Sequence, residues 1–307
     1  MPLPPRWKWK LDRLRESVRG MFGSKKEEER RPRLCPSCGT LVGTTATKCH
    51  ECGASVTFSI AAASRTLSSL MPATSPVTYI VMGINAFLFG VTMLASLQAT
   101  GGASGFFDVD GQVLLRLGAR QSILILRADE YWRLVMPIFL HGGLMHFLFN
   151  SMVLMNVGPQ VEENYGSPRY LFIYIFTGIL SFVVSVAWNV FSSGGYGLSI
   201  GASGSLMGLI GIMLAISKRR GGAMMDMLRG SLIRWLVLIF ILGFFFRADH
   251  AAHIGGLAAG YVLGMVMADR EPMNAAERNR AYLLGWLAGL TVAVSMAFML
   301  VQYFRGA

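Results

Sequence analysis

The main pattern along the chain is a series of apolar runs separated by short polar or glycine-rich stretches. A helix needs about 20 residues to cross a hydrocarbon core of roughly 30 Å, and backbone polar groups in lipid must be satisfied within the segment. The runs therefore predict membrane spans, most of them helical, at residues 78–98, 144–160, 169–191, 203–217, 231–247, 251–268 and 282–303. The second and fourth of these are short, so we expect them inside a bundle rather than against lipid.

Composition supports a membrane protein. The chain of 307 residues is 53% hydrophobic and 15% charged, with a mean hydropathy of +0.48, which is too apolar for an ordinary soluble domain. Its net charge of +11 is concentrated in the first 70 residues. Nucleic-acid binding is one interpretation of that basic arm. Beside so many apolar runs we favour topology setting and attraction to anionic lipid, and expect no nucleic-acid partner.

The loop charges indicate an orientation. With the N-terminus in the cytoplasm, the basic loops at 218–230 and 269–281 lie inside and the uncharged turn at 192–202 lies outside. The outer loop at 99–143 fits less well, because it carries arginines, Arg120 among them, beside acidic residues. No apolar signal sequence is visible. We expect a multi-pass protein of a bacterial inner (cytoplasmic) membrane with a cytoplasmic N-terminus.

Three segments are predicted ahead of the first span. Residues 1–30 place apolar residues at spacings of three and four beside a basic face, which fits an amphipathic helix on the inner leaflet or a disordered arm. Residues 31–56 form a cysteine module. Residues 57–77 are small, polar and proline-containing, as in a linker.

The cysteine module contains all the cysteines of the protein, Cys35, Cys38, Cys49 and Cys52. Two C-x-x-C pairs, each followed by glycine, let four thiolates surround one ion, and the spacer between them has room for a short β-hairpin, as in zinc ribbons. Rubredoxin-like iron and two disulfides are the alternatives, although a reducing cytoplasm disfavours disulfides. We expect structural zinc, because four thiolates leave no open position for a substrate. A cytoplasmic protein is the candidate partner of the module.

Polar residues capable of chemistry stand at the starts of three spans. Ser203 opens the fourth span, His253 opens the sixth, and His146 and Asn150 lie at the start of the second. The orientation above places all three starts at the outer face. If Lys218 marks the inner surface of the hydrocarbon core, Ser203 lies about 22 Å of helix above it. The core is roughly 30 Å thick, so Ser203 lies below its outer surface. Water must then reach it through a cavity.

Glycine stripes suggest how the serine and the histidine meet. The fourth span carries Gly204, Gly208 and Gly211, and the sixth carries Gly256, Gly260 and Gly264. Small residues at this spacing let helices approach closely, which brings Ser203 and His253 within hydrogen-bonding reach if the stripes face each other. The imidazole then takes the serine proton. Asp249 lies one turn earlier and is better suited to an N-cap, so a dyad is favoured over a triad.

Donors for an oxyanion are also in place. His146 and Asn150 are four residues apart and share one helix face, and the backbone N–H of Ser203 lies at a helix start. Each signal alone has a plain structural alternative: helix packing for the glycines and a satisfied polar contact for the histidine or asparagine. Their common level in the membrane favours an enzyme.

These residues resemble the rhomboid family of intramembrane serine proteases. The resemblance rests on G-A-S-G at 201–204, A-H-I-G-G at 252–256, H-x-x-x-N at 146–150 and the Trp-Arg pair of E-Y-W-R at 130–133. It covers about residues 75–270, and it leaves out the cysteine module and the last span.

The resemblance implies an all-α polytopic membrane fold. It consists of a rhomboid-like six-helix bundle at 78–270 with a water-filled cavity open to the outside. An extra C-terminal transmembrane helix within 271–307 and the small N-terminal zinc-ribbon-like domain add to it. Trp132 and Arg133 would hold the first loop of the bundle in place.

The resemblance also implies the chemistry. Ser203 would be the nucleophile and His253 the general base, and His146, Asn150 and the Ser203 amide would stabilise the oxyanion. His141 matches a supportive family histidine, and no cofactor is needed for catalysis. The implied substrates are single-span membrane proteins in the lipid bilayer, cut near the outer end of the span.

The chain departs from the family pattern at one position beside the proposed base. Met207 stands where the family often has an aromatic residue against the catalytic histidine, although sulfur can still contact a ring. The main alternative function is a non-catalytic rhomboid-like protein that binds and routes membrane helices. A channel or transporter is disfavoured, because neither inverted repeats nor charged residues deep in several spans are visible.

Overall fold

The computed structural model divides into a first unit, residues 1–70, and a second unit, residues 71–307. This division falls inside the predicted linker. The predicted arm, most of the linker, Cys38 and Cys52 lie outside the described residues. The residues described are 32–35, 40–44, 46–51, 56, 75–100, 108–195, 197–245, 248–270, 272–273 and 275–305.

The first unit contains an antiparallel pair of short strands, β1 (Arg33–Leu34) and β2 (Leu41–Val42). The amide N–H of Cys35 donates to the carbonyl of Thr40 over 2.7 Å, which closes the turn between the strands. Cys35 therefore directly follows the first strand of the described hairpin, whereas the spacer predicted a hairpin between the two cysteine pairs. Cys35 and Cys49 are both buried in the small core of this unit.

The second unit is mainly helical, and each of the predicted spans corresponds to one long helix. In chain order its α-helices and strands are α1 (Pro76–Thr100), α2 (Gly111–Arg116), β3 (Arg120–Gln121), α3 (Ser122–Arg127), α4 (Leu144–Tyr165), α5 (Ser167–Ser193), β4 (Leu198–Ser199), α6 (Ser203–Arg220), α7 (Ala223–Phe245), α8 (His250–Val266) and α9 (Ala275–Arg305). Among the described residues, four of these helices, α1, α5, α7 and α9, are long and apolar enough to cross a membrane.

The predicted inner loops are much shorter than expected. Residues 218–230 are almost entirely helical, because α6 ends at Arg220 and α7 begins at Ala223. Gly221 and Gly222, with φ of 63° and 90°, make the turn between them. Hydropathy detects only the apolar part of a helix, whereas the charged ends continue the same hydrogen-bonded backbone.

Helix α6 lies in the middle of the bundle, where it packs against α4, α5, α7 and α8. Most of its residues are buried, which confirms the expectation for the span at 203–217. The same expectation is only half right for α4. That helix buries one face, including Val153 and Val157, while Leu148 and Met152 are exposed on another.

The segment between α1 and α4, which was assigned to the outer face from its sequence, is held by the predicted Trp-Arg pair. Arg133 donates from Nη1 to the carbonyls of Leu115 (2.6 Å) and Ala119 (3.1 Å), and its guanidinium lies 4.5 Å from the Trp132 ring centroid. Gly118 has φ +103°, and a Cβ there would lie 2.4 Å from the Trp132 ring. Glycine therefore lets the tryptophan pack directly on the turn.

Candidate active site

The serine and the histidine singled out in the sequence meet in the structure. Ser203 is the first residue of α6, and His253 lies in the first turn of α8. The His253 Nε2 atom lies 2.9 Å from the Ser203 Oγ atom, which is hydrogen-bonding distance. His253 is 3% exposed and Ser203 is half-buried.

The predicted glycine stripes face each other, which is why the two side chains meet. A Cβ on Gly256 would lie 2.0 Å from the carbonyl oxygen of Gly204, and one on Gly260 would lie 1.9 Å from that of Gly208. The contacts advance in the same order along α6 and α8, so the helices run parallel and bring their N-terminal ends together. Only glycine permits so close an approach of the two backbones.

His146 lies on the other side of the serine. Its Nδ1 atom accepts a hydrogen bond from the Gly142 amide over 3.3 Å, so the proton of the neutral ring belongs on Nε2. A Cβ on Gly201, which has φ +120°, would lie 2.7 Å from His146 Nε2 and 3.7 Å from Ser203 Oγ. The Nε2–H group of His146 therefore lies close to Ser203. A side chain at position 201 would occupy the space beside both groups.

Asn150 is buried on the same face of α4 as His146. One N–H of its Nδ2 donates to the His146 carbonyl over 2.9 Å, which leaves its second N–H for another acceptor. His141 is fully buried, with its ring edge-on to those of His146 (5.3 Å) and Phe147 (5.5 Å). These contacts pack the His141 ring against both neighbouring rings.

A cavity of about 780 Å³ joins these groups. It is lined by Ser203, His253, His146 and Asn150, together with residues of the segment between α1 and α4, of α5 and of α7. Its lining combines polar side chains with apolar ones such as Trp235, as in sites that bind a substrate and fix its orientation.

Two aromatic rings beside His253 were not predicted. Phe240 of α7 and His250 stack on each other (5.6 Å, 9° between planes). Each stands edge-on to His253, at 6.0 Å and 5.9 Å between centroids. Met207 is fully buried in α6. The structure thus supplies aromatic contacts to the histidine from α7 and from its own helix. In the sequence, only the absence of an aromatic residue at Met207 indicated that other rings could contact His253.

Asp249 caps α8, as expected, and has a further partner. Its Oδ1 accepts from the Ala252 amide over 3.0 Å, and its Oδ2 accepts from Arg120 Nη2 over 2.9 Å. Burial alone would raise the pKa of Asp249. Hydrogen bonds from Ser185, Ala252 and Ser199 and the charge of Arg120 outweigh burial, so the pKa is lowered from its ordinary value of 3.8. Burial lowers the pKa of Arg120, and Asp249 opposes that shift.

The predicted zinc ligands are described only in part. Cys35 and Cys49 lie together in the core of the first unit, and Cys38 and Cys52 are outside the described residues. Within the described part of the chain, no cluster of three or more metal-binding side chains is found.

Comparison with known proteins gives consistent matches. Residues 128–270 match the profile of the rhomboid domain. Rhomboid-like protease 2 of Toxoplasma gondii is 32% identical over 209 residues, which are 67% of this chain and 71% of that protein. Rhomboid protease GluP of Bacillus subtilis is 32% identical over 187 residues, 60% of this chain. RHOMBOID-like protein 5 of Arabidopsis thaliana is 37% identical over 161 residues, 50% of this chain.

Coverage of these relatives is uneven. The chain spans 33% of the length of GluP and 49% of RHOMBOID-like protein 5, but 71% of the Toxoplasma protease. The matched domain contains Ser203, His253, His146 and Asn150. With the four apolar helices, these matches identify an integral membrane protein. The chain belongs to the rhomboid family.

Proposed function

We propose that the protein is an intramembrane serine endopeptidase that cleaves transmembrane segments of membrane proteins with a Ser203–His253 dyad. The observation that carries the proposal is the 2.9 Å contact between His253 Nε2 and Ser203 Oγ on the wall of a large cavity. A serine hydroxyl is a weak nucleophile, and a neighbouring imidazole activates it. Named rhomboid proteases among the relatives support the same reaction class.

The reaction proceeds in two halves. As Ser203 Oγ attacks the carbonyl carbon of the scissile peptide bond, its proton moves to His253 Nε2. The tetrahedral intermediate collapses, and the imidazolium gives that proton to the leaving amine, which departs and leaves an acyl ester on Ser203. A water molecule then loses a proton to His253 and attacks the ester. The bond between the acyl carbon and Ser203 Oγ breaks, the fragment leaves as a carboxylic acid, and the imidazolium returns the proton to Ser203 Oγ.

Three N–H groups of residues that line the cavity are proposed to bind the oxyanion. His146 Nε2, the second N–H of Asn150 and the Ser203 amide in the first turn of α6 are the candidates for the oxyanion hole. The carboxylate of Asp249 is bound to Arg120, Ser185 and the α8 amide, so it is already engaged. These contacts support a dyad rather than a triad.

The proposed arrangement in the membrane has six core helices and one extra helix. The shorter helices α4, α6 and α8 join the apolar α1, α5 and α7 in the core, and α9 is the additional C-terminal span. With the N-terminus in the cytoplasm, Ser203 and His253 lie near the outer face. The cavity then admits water from that side, and we propose location in a bacterial cytoplasmic membrane.

The proposed substrates are single-span membrane proteins, cut near the outer end of their span. The test uses the full chain in proteoliposomes with a single-span reporter that carries an outer tag. Wild type should release the tagged fragment, and Ser203→Ala should not. Release that is equal in both would exclude the proposed protease.

A helix-binding protein without catalysis is the alternative. It would bind the reporter in both wild type and Ser203→Ala and cleave it in neither. The hydrogen-bonded serine and histidine disfavour this alternative, because a pure binding protein does not require them to be paired.

For the first unit we propose a structural zinc ion held by Cys35, Cys38, Cys49 and Cys52, with a docking role toward a cytoplasmic protein. The residues fit the ion, since Cys35 and Cys49 share one small buried core and thiolates are preferred zinc ligands. Elemental analysis of the purified chain should find one zinc per chain, and Cys49→Ser should lose it. Equal zinc in both would overturn the site. Unchanged cellular cleavage and partners after deletion of residues 1–60 would overturn the docking role.

A further inference from the structure

Arg120 makes a branched set of hydrogen bonds beside the active-site cavity. Its Nη2 donates to Asp249 Oδ2 (2.9 Å) and to Ser185 Oγ (2.7 Å). Its Nη1 donates to the carbonyl of Gly197 (3.0 Å) and to Ser122 Oγ (3.2 Å). The Arg120 side chain is 4% exposed and that of Asp249 is 19% exposed, so this is a largely buried ion pair.

The hydrogen bond from Arg120 to the Gly197 carbonyl connects the guanidinium to the segment that carries Ser203. Gly197 begins the segment that enters α6, and β4 in that segment pairs with β3, with Arg120 opposite Ser199. The chain from Gly197 reaches Ser203 within six residues. The guanidinium and the strand pair therefore fix the start of α6 to the outer loop.

The hydrogen bond from Arg120 to Asp249 connects the same guanidinium to the helix that carries His253. Asp249 is the N-cap of α8 and lies one turn before His253. Its two oxygens have separate tasks, since Oδ1 caps the helix through Ala252 and Oδ2 binds Arg120. Ser185 of α5 donates to the same Oδ2. The orientation of the first turn of α8 is therefore tied to the same guanidinium.

We infer that Arg120 and Asp249 are positioning residues that link the segment carrying Ser203 to the helix carrying His253 and so set the distance between nucleophile and base. The inference rests on the proposed function, because it assigns the pair a role in that reaction. Neither residue touches the reacting atoms: the pair acts by holding two chain segments in register.

The chemistry of arginine suits this role. Its planar fork presents several N–H groups in fixed directions, so one side chain can bind the Asp249 carboxylate and the Gly197 carbonyl at once. Lysine has a single ammonium group without that fixed fork. The buried ion pair also accounts for an exception noted in the sequence, since Arg120 is a cation in a loop assigned to the outer face. Its charge is paired inside the protein.

The test measures cleavage of the single-span reporter by the full chain in proteoliposomes, with kcat and KM obtained separately. Arg120→Met removes the positive charge and the hydrogen bonds to Asp249 and to the Gly197 carbonyl. Asp249→Asn removes the carboxylate charge but keeps an oxygen that can cap α8. Arg127→Met is the matched control, because Arg127 is an exposed arginine of the same outer loop.

Each of the two pair variants should lower kcat about tenfold or more and leave KM within about twofold, since a misplacement of 1 Å can cost about 100-fold in rate. Arg127→Met should match wild type. The double variant Arg120→Met/Asp249→Asn should lose no more than the worse single variant, because each single change leaves a buried group without its partner.

Three results would overturn the inference while the protease proposal stands. They are wild-type kcat in Arg120→Met or Asp249→Asn, an effect on KM alone, and losses that multiply in the double variant. If size-exclusion chromatography shows that Arg120→Met does not fold, Arg120→Lys is measured in its place. It keeps the charge but not the fork, so we expect a reduced kcat, and a wild-type kcat would contradict the link. A failure of the protease proposal looks different, because wild type itself would then cleave no better than Ser203→Ala.

Discussion

The crossing of α6 and α8 at Gly208 and Gly260 offers a sharp test of how helix spacing controls the active site. Gly260→Ala adds one methyl group, seven residues or about 10 Å along α8 from His253. The added Cβ would lie 1.9 Å from the carbonyl oxygen of Gly208, whereas ordinary contact begins near 3.4 Å. Backbone cannot swing aside as a flexible side chain does, so the helices must separate by about 1.5 Å.

That separation is large on the scale of the dyad. If the separation extends to the N-terminal ends of α6 and α8, the 2.9 Å contact between Ser203 Oγ and His253 Nε2 lengthens beyond hydrogen-bonding reach. Overpacking of this kind costs about 1–3 kcal/mol of stability, and a 1 Å misplacement of reacting groups costs about 100-fold in rate. We therefore expect kcat for the reporter to fall about 100-fold. Alanine favours helix over glycine by about 1 kcal/mol, so a weaker helix is not the cause.

The assay is reporter cleavage in proteoliposomes, with thermal unfolding measured on the same preparations. Gly90→Ala is the matched control, because Gly90 lies in α1 and a Cβ there meets nothing within 4 Å. It should cleave like wild type. A wild-type kcat in Gly260→Ala would show that the spacing of α6 and α8 does not set the distance between Ser203 and His253.

Three further predictions concern the groups around the dyad. Phe240→Leu should lower kcat about tenfold by removing a ring that stands edge-on to His253, the proposed base; steady-state kinetics check this, and a wild-type kcat would contradict it. Because the folded pKa of Asp249 lies below 3.8, its carboxylate stabilises the protein above about pH 4, and that stability is lost as the pH falls through the lower folded pKa. Asp249→Asn should flatten this acid dependence in thermal melts, and an unchanged slope would contradict it. Gly201→Ala should abolish cleavage, because its Cβ would lie 2.7 Å from His146 Nε2 at a φ of +120° that alanine avoids; retained activity would contradict the described turn.

Local sequence patterns were sufficient to predict the long helices and the contact between Ser203 and His253. Apolar runs placed every long helix of the second unit, and the stripes that include Gly204 and Gly256 correctly indicated which helices meet. These features could be predicted because each lies within one helix and repeats at helical spacing. Hydropathy could not give the true ends of α6 and α7, since their charged turns are as helical as their apolar ones.

Long-range contacts were missed for the opposite reason. Arg120 and Asp249 are 129 residues apart, and nothing in either local pattern specifies the other. Phe240 stands in an apolar stretch of α7, where periodicity cannot say which ring faces His253. The proposed oxyanion donors could be predicted only in part. The four-residue spacing of His146 and Asn150 put them on one face, but the bond from Gly142 that orients the imidazole depends on how the loop folds.

The claim on which the account depends is that Ser203 is a nucleophile activated by His253, and covalent labelling tests it most directly. The full chain in proteoliposomes is treated with a fluorophosphonate, and the adduct is located by mass spectrometry in wild type and in His253→Ala. The account predicts one adduct, on Ser203, formed at least 100-fold more slowly in His253→Ala. An adduct on another residue, or labelling of Ser203 at the same rate without the imidazole, would contradict it.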